Sequence, residues 1–175
     1  IYAWSPDGNK IAFQMLDAAE SKEEKDKKAK NDWYFMDEVV KQNRLYLLSL
    51  NSKDSAGKYR QKKLSTGNYN INSFDWSPDG KTIAYSFGKT PEANDNNYSD
   101  VSLIDIETDK ASSVAATGAS ESTPMFSPDG KLLAYYCTTD PVDWPGAKHV
   151  KIYSLSDGKL WRLKSTPDES GSMIG

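Results

Sequence analysis

The stretch that decides the fold is FDWSPDGKTIAYSF, residues 74–87, because most of it returns twice elsewhere in the chain. The repeated element is an aromatic residue, then Ser-Pro-Asp-Gly, then a lysine within two residues and a short apolar run. Proline presets φ for the second position of a type I turn, aspartate suits the third, and glycine takes the left-handed conformation after it. A turn of this kind joins two antiparallel strands. Each copy therefore predicts a β-hairpin whose first strand ends at the aromatic residue.

The three copies begin at Trp4, Trp76 and Phe126. The turn residues, to which we assign a structural role, are Ser5, Pro6, Asp7 and Gly8 in the first copy, Ser77, Pro78, Asp79 and Gly80 in the second, and Ser127, Pro128, Asp129 and Gly130 in the third. Aspartate at this position can accept hydrogen bonds from nearby backbone amides. That role explains the three repeated aspartates without a metal ion.

Two further strands are predicted after each hairpin. They cover residues 44–50 and 60–64, then 101–106 and 111–115, then 149–155 and 160–163. Four strands in each of three units is the pattern of a β-propeller. The sequence thus predicts an all-β, partial β-propeller with about three four-stranded antiparallel blades.

The spacing of the copies sets the expected blade limits. Trp76 and Phe126 are 50 residues apart, as propeller repeats require, whereas Trp4 and Trp76 are 72 apart. We expect blade 1 at about 1–66 with an insertion at 14–43, blade 2 at about 70–117, blade 3 at about 122–164, and a linker to a further blade at 165–175.

Three blades leave a propeller ring open, since closed rings use roughly four to eight. The chain also opens inside a predicted strand without a starting methionine. We therefore expect a segment of a longer protein whose remaining blades close the ring. The uncovered blade faces are expected to cause self-association or low solubility, because exposed apolar faces invite association.

Composition limits the classes of function. Hydrophobic residues make up 37% and charged residues 27% of the 175-residue chain, and the net charge is −3. This balance fits a globular domain and offers no basic surface for nucleic acid. No apolar run is long enough for a membrane span. The single Cys137 excludes an internal disulfide framework and a cysteine-rich zinc site, and no cofactor or metal is predicted.

A search for catalytic motifs finds none, so no catalytic residue is predicted. The chain has no Gly-x-Ser-x-Gly nucleophile elbow, no Gly-rich phosphate loop and no His-Glu-x-x-His pattern. Its one histidine, His149, begins a predicted strand. We interpret it as a strand-edge residue.

The insertion in blade 1 has two parts. Residues 21–30 form a mixed-charge run in which Ser21 and Glu24 have capping-box spacing. The sequence is compatible with either a short helix or a disordered loop here. Residues 32–40 then place large aromatic side chains beside the adjacent acids Asp37 and Glu38. This cluster either packs on the blade edge or forms a recognition surface.

The pattern aromatic-Ser-Pro-Asp-Gly-Lys-x-Ile-Ala-Tyr resembles the repeat of TolB-type propellers and of the N-terminal propeller in prolyl oligopeptidase-family serine peptidases. The resemblance covers nearly the whole chain. In the peptidases it implies a non-catalytic propeller that caps a C-terminal α/β-hydrolase domain of the same protein, admits only short peptides and orients them. The catalytic triad would then lie downstream.

Residues 32–40 are similar to a segment of the dipeptidyl peptidase branch, Asp-Trp-x-Tyr-x-acid-Glu-Val. Paired acids in that segment hold the free amino terminus of the substrate, which a carboxylate pair can do through charge-assisted hydrogen bonds. This similarity implies that Asp37, Glu38 and Trp33 bind substrate.

Two other classes remain open. One is a TolB-like propeller that serves as a protein-interaction module in the cell envelope, and the other is a propeller attached to a different hydrolase, such as an amidohydrolase. The resemblance favours a periplasmic or otherwise extracytoplasmic location, and the cytoplasm also stays open. A nucleophile elbow further along the parent protein would indicate a peptidase.

Overall fold

The computed structural model describes residues 1–18, 41–93, 95, 97–138 and 148–163. Across these ranges the chain forms strands, and no helix there could cross a membrane. The twelve strands of the described residues are β1 (Tyr2–Trp4), β2 (Lys10–Leu16), β3 (Asn43–Lys53), β4 (Tyr59–Lys63), β5 (Asn70–Trp76), β6 (Thr82–Gly88), β7 (Ser99–Asp105), β8 (Ala111–Ala115), β9 (Glu121–Phe126), β10 (Leu132–Cys137), β11 (His149–Ser154) and β12 (Leu160–Arg162).

The strands form three antiparallel sheets of four strands each, β1–β4, β5–β8 and β9–β12. Within each sheet, strands that follow each other in the sequence are hydrogen-bonded neighbours. We number these sheets 1, 2 and 3. Strand β9 packs against β5, β6 and β7, and β5 packs against β3, so the sheets stack in chain order. This arrangement confirms the predicted partial all-β propeller. The short helix considered for the insertion lies outside the described residues.

The insertion is narrower than the sequence predicts. Strand β2 continues to Leu16, and β3 begins at Asn43 directly opposite it. Residues 14–16, which we placed in the insertion, therefore belong to the sheet. They do so because β3 supplies their ladder partners.

The Ser-Pro-Asp-Gly turns have one shared hydrogen-bond pattern, which the second copy illustrates. The amide of Gly80 donates to the carbonyl of Ser77 at 2.9 Å, and φ of Gly80 is +68°. The hydroxyl of Ser77 donates to Asp79 at 2.6 Å and accepts from the amide of Thr82 at 2.9 Å. The Asp79 carboxylate accepts from the amide of Lys81 at 3.0 Å. One serine and one aspartate thus satisfy the backbone amides at the start of the second strand.

The first and third turns repeat this pattern, with Ser5 and Ser127 donating to Asp7 and Asp129 at 2.6 Å. The hydrogen bond from Ser5 is the main reason that the pKa of Asp7 falls to about 2. The pKa of Asp129 is lowered for the corresponding reason, the hydrogen bond from Ser127. These carboxylates stay ionised, and their hydrogen bonds are made within the turn.

Successive turns also touch each other. A β-carbon placed on Gly80 would lie 3.5 Å from Cδ of Pro6, and one placed on Gly130 would lie 3.5 Å from Cδ of Pro78. The proline of each turn therefore rests against the glycine of the next turn. We call this row of contacts the turn ladder.

Each sheet has a front face, turned towards the preceding sheet, and a back face, turned towards the following one. The front of sheet 2 presents Trp76, Ile83 and Ile104, which share one core with Ala12 and Leu47 on the back of sheet 1. The sheets bury this core between them, and burial of apolar area is the main favourable term in folding.

The junction between sheets 2 and 3 repeats this chemistry. Phe126 and Leu133 on the front of sheet 3 share a core with Ala84 and Val101 of sheet 2, and Leu103 packs against it. Each junction thus places aromatic and large aliphatic side chains on a surface that is built around an alanine.

Candidate functional site

The two ends of the sheets differ. One end, the hairpin end, carries the three similar turns. The other end, the loop end, carries the connections between the second and third strands of each sheet, at residues 17–42, 89–98 and 138–148. The loop end therefore holds the segments whose length and composition vary. Binding residues are usually found on such loops, held by a rigid scaffold.

The base of the insertion is fixed to the loop end by backbone and amide hydrogen bonds. The amide of Asp17 donates to the carbonyl of Gln42 at 2.9 Å. Gln42 Nε2 donates to the carbonyl of Lys89 at 3.1 Å, and the amide of Asn43 donates to Asn70 Oδ1 at 2.7 Å. Two of these bonds reach sheet 2, so the insertion begins and ends at the junction of sheets 1 and 2.

Arg44 supplies the charged part of this base. Its Nε lies 2.9 Å from both carboxylate oxygens of Asp17, and its Nη2 lies 2.8 Å from Asp17 Oδ2. Its Nη1 donates to the carbonyls of Gly67 and Tyr69 in the connection to sheet 2. The guanidinium holds the pKa of Asp17 below its usual value, mainly by hydrogen bonding. We call Asp17, Gln42, Asn43 and Arg44 the neck of the insertion.

A second polar group lies at the loop end of sheet 3. The side chain of Glu121 is fully buried, and its Oε1 accepts from the Thr117 hydroxyl at 2.5 Å. Its Oε2 has no hydrogen-bond partner. Burial is the main cause that raises the pKa of Glu121, and the nearby charge of Asp100 adds to it. Glu121 is therefore an acid whose protonated form the fold favours.

Two further side chains share the row of Glu121 across sheet 3. Cys137 lies opposite Glu121 on one side and opposite His149 on the other. Burial raises the pKa of the Cys137 thiol, so the thiolate that a nucleophile needs is disfavoured. His149 is also buried, and its Nδ1 lacks a partner. Within the described ranges, no three His, Cys, Asp or Glu side chains are arranged to hold a metal ion.

The predicted substrate-binding residues Asp37, Glu38 and Trp33 lie outside the described residues. The predicted turn residues all lie at the hairpin end, away from the insertion. Between the second and third turns there is a cleft of about 460 Å³, lined by the two turns together with Leu103, Phe126 and Leu155. The acids of this cleft, Asp79 and Asp129, already accept hydrogen bonds within their own turns.

Sequence analysis missed the neck and the buried acid. A signal for the neck was present, because Asp17 and Arg44 flank the predicted insertion with opposite charges. Glu121 gave no signal, since the segment Ser120-Glu121-Ser122-Thr123 looks like a polar loop. Only the structure shows that it begins the inner strand of sheet 3.

Comparison with known proteins supports the fold on independent grounds. No protein-family model matches the chain. An alignment of 107 positions that covers 59% of the chain is 31% identical to dipeptidyl-peptidase 5 of Porphyromonas gingivalis, of which it covers 16%. A putative TolB from Agrobacterium tumefaciens superposes with a TM-score of 0.60 at 16% identity, covering 92% of this chain and 47% of that one. A puromycin-hydrolyzing peptidase of Mycobacterium tuberculosis gives a TM-score of 0.60 at 17% identity, covering 94% of this chain and 23% of that one.

These similarities define the class as a partial β-propeller. The structural neighbours include TolB-type propellers and the propellers of peptidases, and the resemblance that the sequence motif suggested is confirmed at the level of the fold. The chain spans less than half of these solved chains and about one sixth of the curated relative.

Proposed function

We propose that this chain is the non-catalytic propeller segment of a prolyl oligopeptidase-family serine peptidase, of the dipeptidyl or acylaminoacyl peptidase kind. The observation that carries the proposal is the 31% identity with a dipeptidyl-peptidase over 107 residues. In this role the segment restricts entry to short peptides and orients them for a downstream α/β-hydrolase domain. Size selection by a propeller needs no chemistry from the propeller itself, in keeping with the absence of catalytic motifs from the sequence.

The neck adds a structural argument for orientation of the substrate. A positioning group must be held on rigid elements, because loose supports lose the required geometry. The neck joins both ends of the insertion to two sheets through Arg44, Gln42 and Asn43. In the proposal, Asp37 and Glu38 of the insertion bind the ammonium group of the peptide, and Trp33 contributes to substrate binding.

The test uses the full-length parent protein and a serine-directed fluorophosphonate probe. We expect covalent labelling and a parallel loss of aminopeptidase activity on short peptides. Absence of both labelling and hydrolysis would contradict the peptidase proposal and favour a TolB-like interaction module in the cell envelope.

The amine anchor has a separate test in an active parent. Replacing both Asp37 and Glu38 by Ala should raise KM for peptides with a free amino terminus, because the ammonium loses its carboxylate partners. Peptides with a blocked amino terminus provide the matched control, and their KM should stay unchanged. An equal change for both kinds of peptide would reject the anchor and leave the peptidase assignment intact.

A further inference from the structure

The cleft at the hairpin end lies between sheets 2 and 3, and the junction of sheets 1 and 2 has an equivalent place. Leu103 lines the cleft and lies opposite Ala84 in sheet 2. Leu47 lies opposite Ala12, which has the same position in sheet 1. Leu47 therefore marks the place at the first junction that corresponds to the wall of the cleft.

The side of the cleft that belongs to sheet 3 also has its equivalent in sheet 2. Leu155 lines the cleft, and its amide donates to the carbonyl of Lys131 at 3.0 Å. The amide of Ile106 donates to the carbonyl of Lys81 at 3.0 Å in the same way. The two junctions can therefore be compared residue by residue.

A lysine side chain crosses the equivalent place at the first junction. Lys62 lies opposite Leu47, on strand β4. Its Nζ donates to the carbonyl of Ile106 in sheet 2 at 3.2 Å and lies 2.6 Å from Oδ1 of Asp109. Leu47 and Ile106, on the two sides of the junction, are each only 5% exposed. The first junction thus has an aminoalkyl chain of its own.

The second junction has a short side chain at this place. Ser112 lies opposite Leu103, where sheet 1 has Lys62. A serine side chain ends at its first oxygen and cannot span a junction between sheets. Leu103 and Leu155 accordingly remain half-buried. The cleft is the space that a lysine covers one repeat earlier.

The walls of the cleft match the two parts of a lysine side chain. Leu103, Phe126 and Leu155 offer apolar surface, on which long charged side chains commonly lay their methylene groups. Asp79 and Asp129 line the same cleft, and hydrogen bonds from the turn serines lower the pKa of both carboxyls. The cleft therefore combines an apolar wall with two ionised carboxylates.

These carboxylates keep capacity for a further donor. The bonds that Asp79 and Asp129 accept within their turns all end on Oδ1. A carboxylate can accept more bonds than these, and those from an ammonium are charge-assisted. Lys131 lies 3.6 Å from Oδ2 of Asp129, but its side chain is 78% exposed, and exposed ion pairs contribute little.

We propose that the cleft binds a lysine side chain of a partner polypeptide, with the methylene groups on the apolar wall and the ammonium at Asp79 and Asp129. The partner would supply from outside what Lys62 supplies within the chain at the first junction. Both sheets that form the cleft belong to this chain, and the cleft lies at the end opposite the insertion. The proposal therefore goes beyond the peptidase function and does not depend on it.

The test is an NMR titration of the full-length parent protein with isotope-labelled leucine methyl groups. The probe is Nα-acetyl-lysine N-methylamide, a lysine residue with both termini blocked. We expect the methyl signals of Leu103 and Leu155 to shift and saturate, whereas those of Leu47, next to Lys62, should not move. The norleucine analogue lacks the ammonium and should bind about tenfold more weakly or less. Unmoved signals of Leu103 and Leu155, or equal affinity for both probes, would overturn the proposal.

The variant Ser112→Lys places the missing side chain on the chain itself. Its ammonium should reach the carbonyl of Leu155, as Lys62 reaches Ile106, and the affinity for the lysine probe should fall by about tenfold or more. The control is Ser113→Lys, which adds the same charge on the opposite face of the strand and should leave the affinity unchanged. Unchanged affinity in Ser112→Lys would contradict binding in the cleft.

The reciprocal variant is Lys62→Ser, which gives the first junction the short side chain of the second. With the native fold verified from its methyl spectrum, the signals of Leu47 should now shift with the lysine probe. Unmoved signals of Leu47 would show that the two junctions are not equivalent and would overturn the argument from Lys62.

Discussion

At the scale of single residues, Glu121 is the side chain whose charge conflicts most with its surroundings. It is fully buried, one of its oxygens has no partner, and Asp100 lies near enough to disfavour a second negative charge. The Thr117 hydroxyl and the charge of Lys151 oppose this effect, but burial is the largest cause and the pKa of Glu121 is raised. The native state therefore binds a proton here more tightly than the unfolded chain does.

The first prediction follows from this linkage. Protonation of Glu121 stabilises the fold below its unfolded pKa of about 4.3, and this contribution is lost as the pH rises through the higher folded pKa. Glu121→Gln removes the charge, so the melting temperature of the variant should exceed that of the wild type by more at pH 7 than at pH 4. A difference that does not change with pH would contradict the raised pKa of Glu121.

The Ser-Pro-Asp-Gly turn offers a second prediction at this scale. Ser77→Ala removes the acceptor of the Thr82 amide and the donor to Asp79, and Ser77 is buried. We expect a loss of about 1–2 kcal/mol in the free energy of unfolding, the usual effect of an unpaired buried amide. Urea denaturation measures it. The matched control is Ser112→Ala on the exposed strand β8, where no such pattern exists and little change should occur.

At the scale of elements, the neck is the group of residues that connects the insertion to sheets 1 and 2. Arg44 is buried, and its guanidinium joins Asp17 to the carbonyls of the connection between sheets 1 and 2. A planar group with several donors in fixed directions can make these bonds together, whereas an ammonium cannot reproduce them. The neck therefore depends on the shape of the side chain as well as on its charge.

The third prediction tests this dependence. Arg44→Lys keeps the positive charge but loses the planar guanidinium and its several hydrogen-bond donors. We therefore expect a loss of about 1–3 kcal/mol in the free energy of unfolding. The exposed pair of Lys159 and Asp157, with 3.0 Å between Nζ and Oδ2, serves as the control. Lys159→Met should change stability by less than about 1 kcal/mol, since exposed ion pairs contribute little. Equal effects of the two variants would show that the neck is an ordinary surface ion pair.

At the scale of the whole molecule, the middle sheet is the best protected. Sheet 2 has a covered front and a covered back, whereas sheets 1 and 3 each have one covered face. Accordingly, β6 contains a continuous run of buried residues, whereas the corresponding β2 is mostly half-buried or exposed. Local stability in proteins follows such differences in burial.

The fourth prediction is that amide hydrogen exchange is slowest in β6 and β7. The equivalent strands β2 and β3 of sheet 1 should exchange faster, because only one of their faces is covered. Uniform exchange over all three sheets would contradict the dependence on neighbouring sheets.

The repeat could be predicted from the sequence, whereas the buried polar side chains could not. The three turns were predictable because proline, aspartate and glycine act locally, within four residues. Glu121 and Arg44 could not be assigned, because their roles depend on partners that are brought near only when strands pair and sheets stack. The limits of β2 were misplaced by a few residues for the same reason, since Asn43, its last partner, lies far along the chain.

The turn ladder has a consequence for how such a chain can change its length over evolutionary time. Pro6 contacts Gly80 and Pro78 contacts Gly130. Each repeat therefore has a glycine that can contact the repeat before it and a proline that can contact the repeat after it. A gene duplication that adds one whole repeat restores both halves at each new boundary, wherever in the repeat its breakpoints fall. A duplication of part of a repeat leaves an unmatched proline or glycine. Selection on recombination products would then favour growth in whole units.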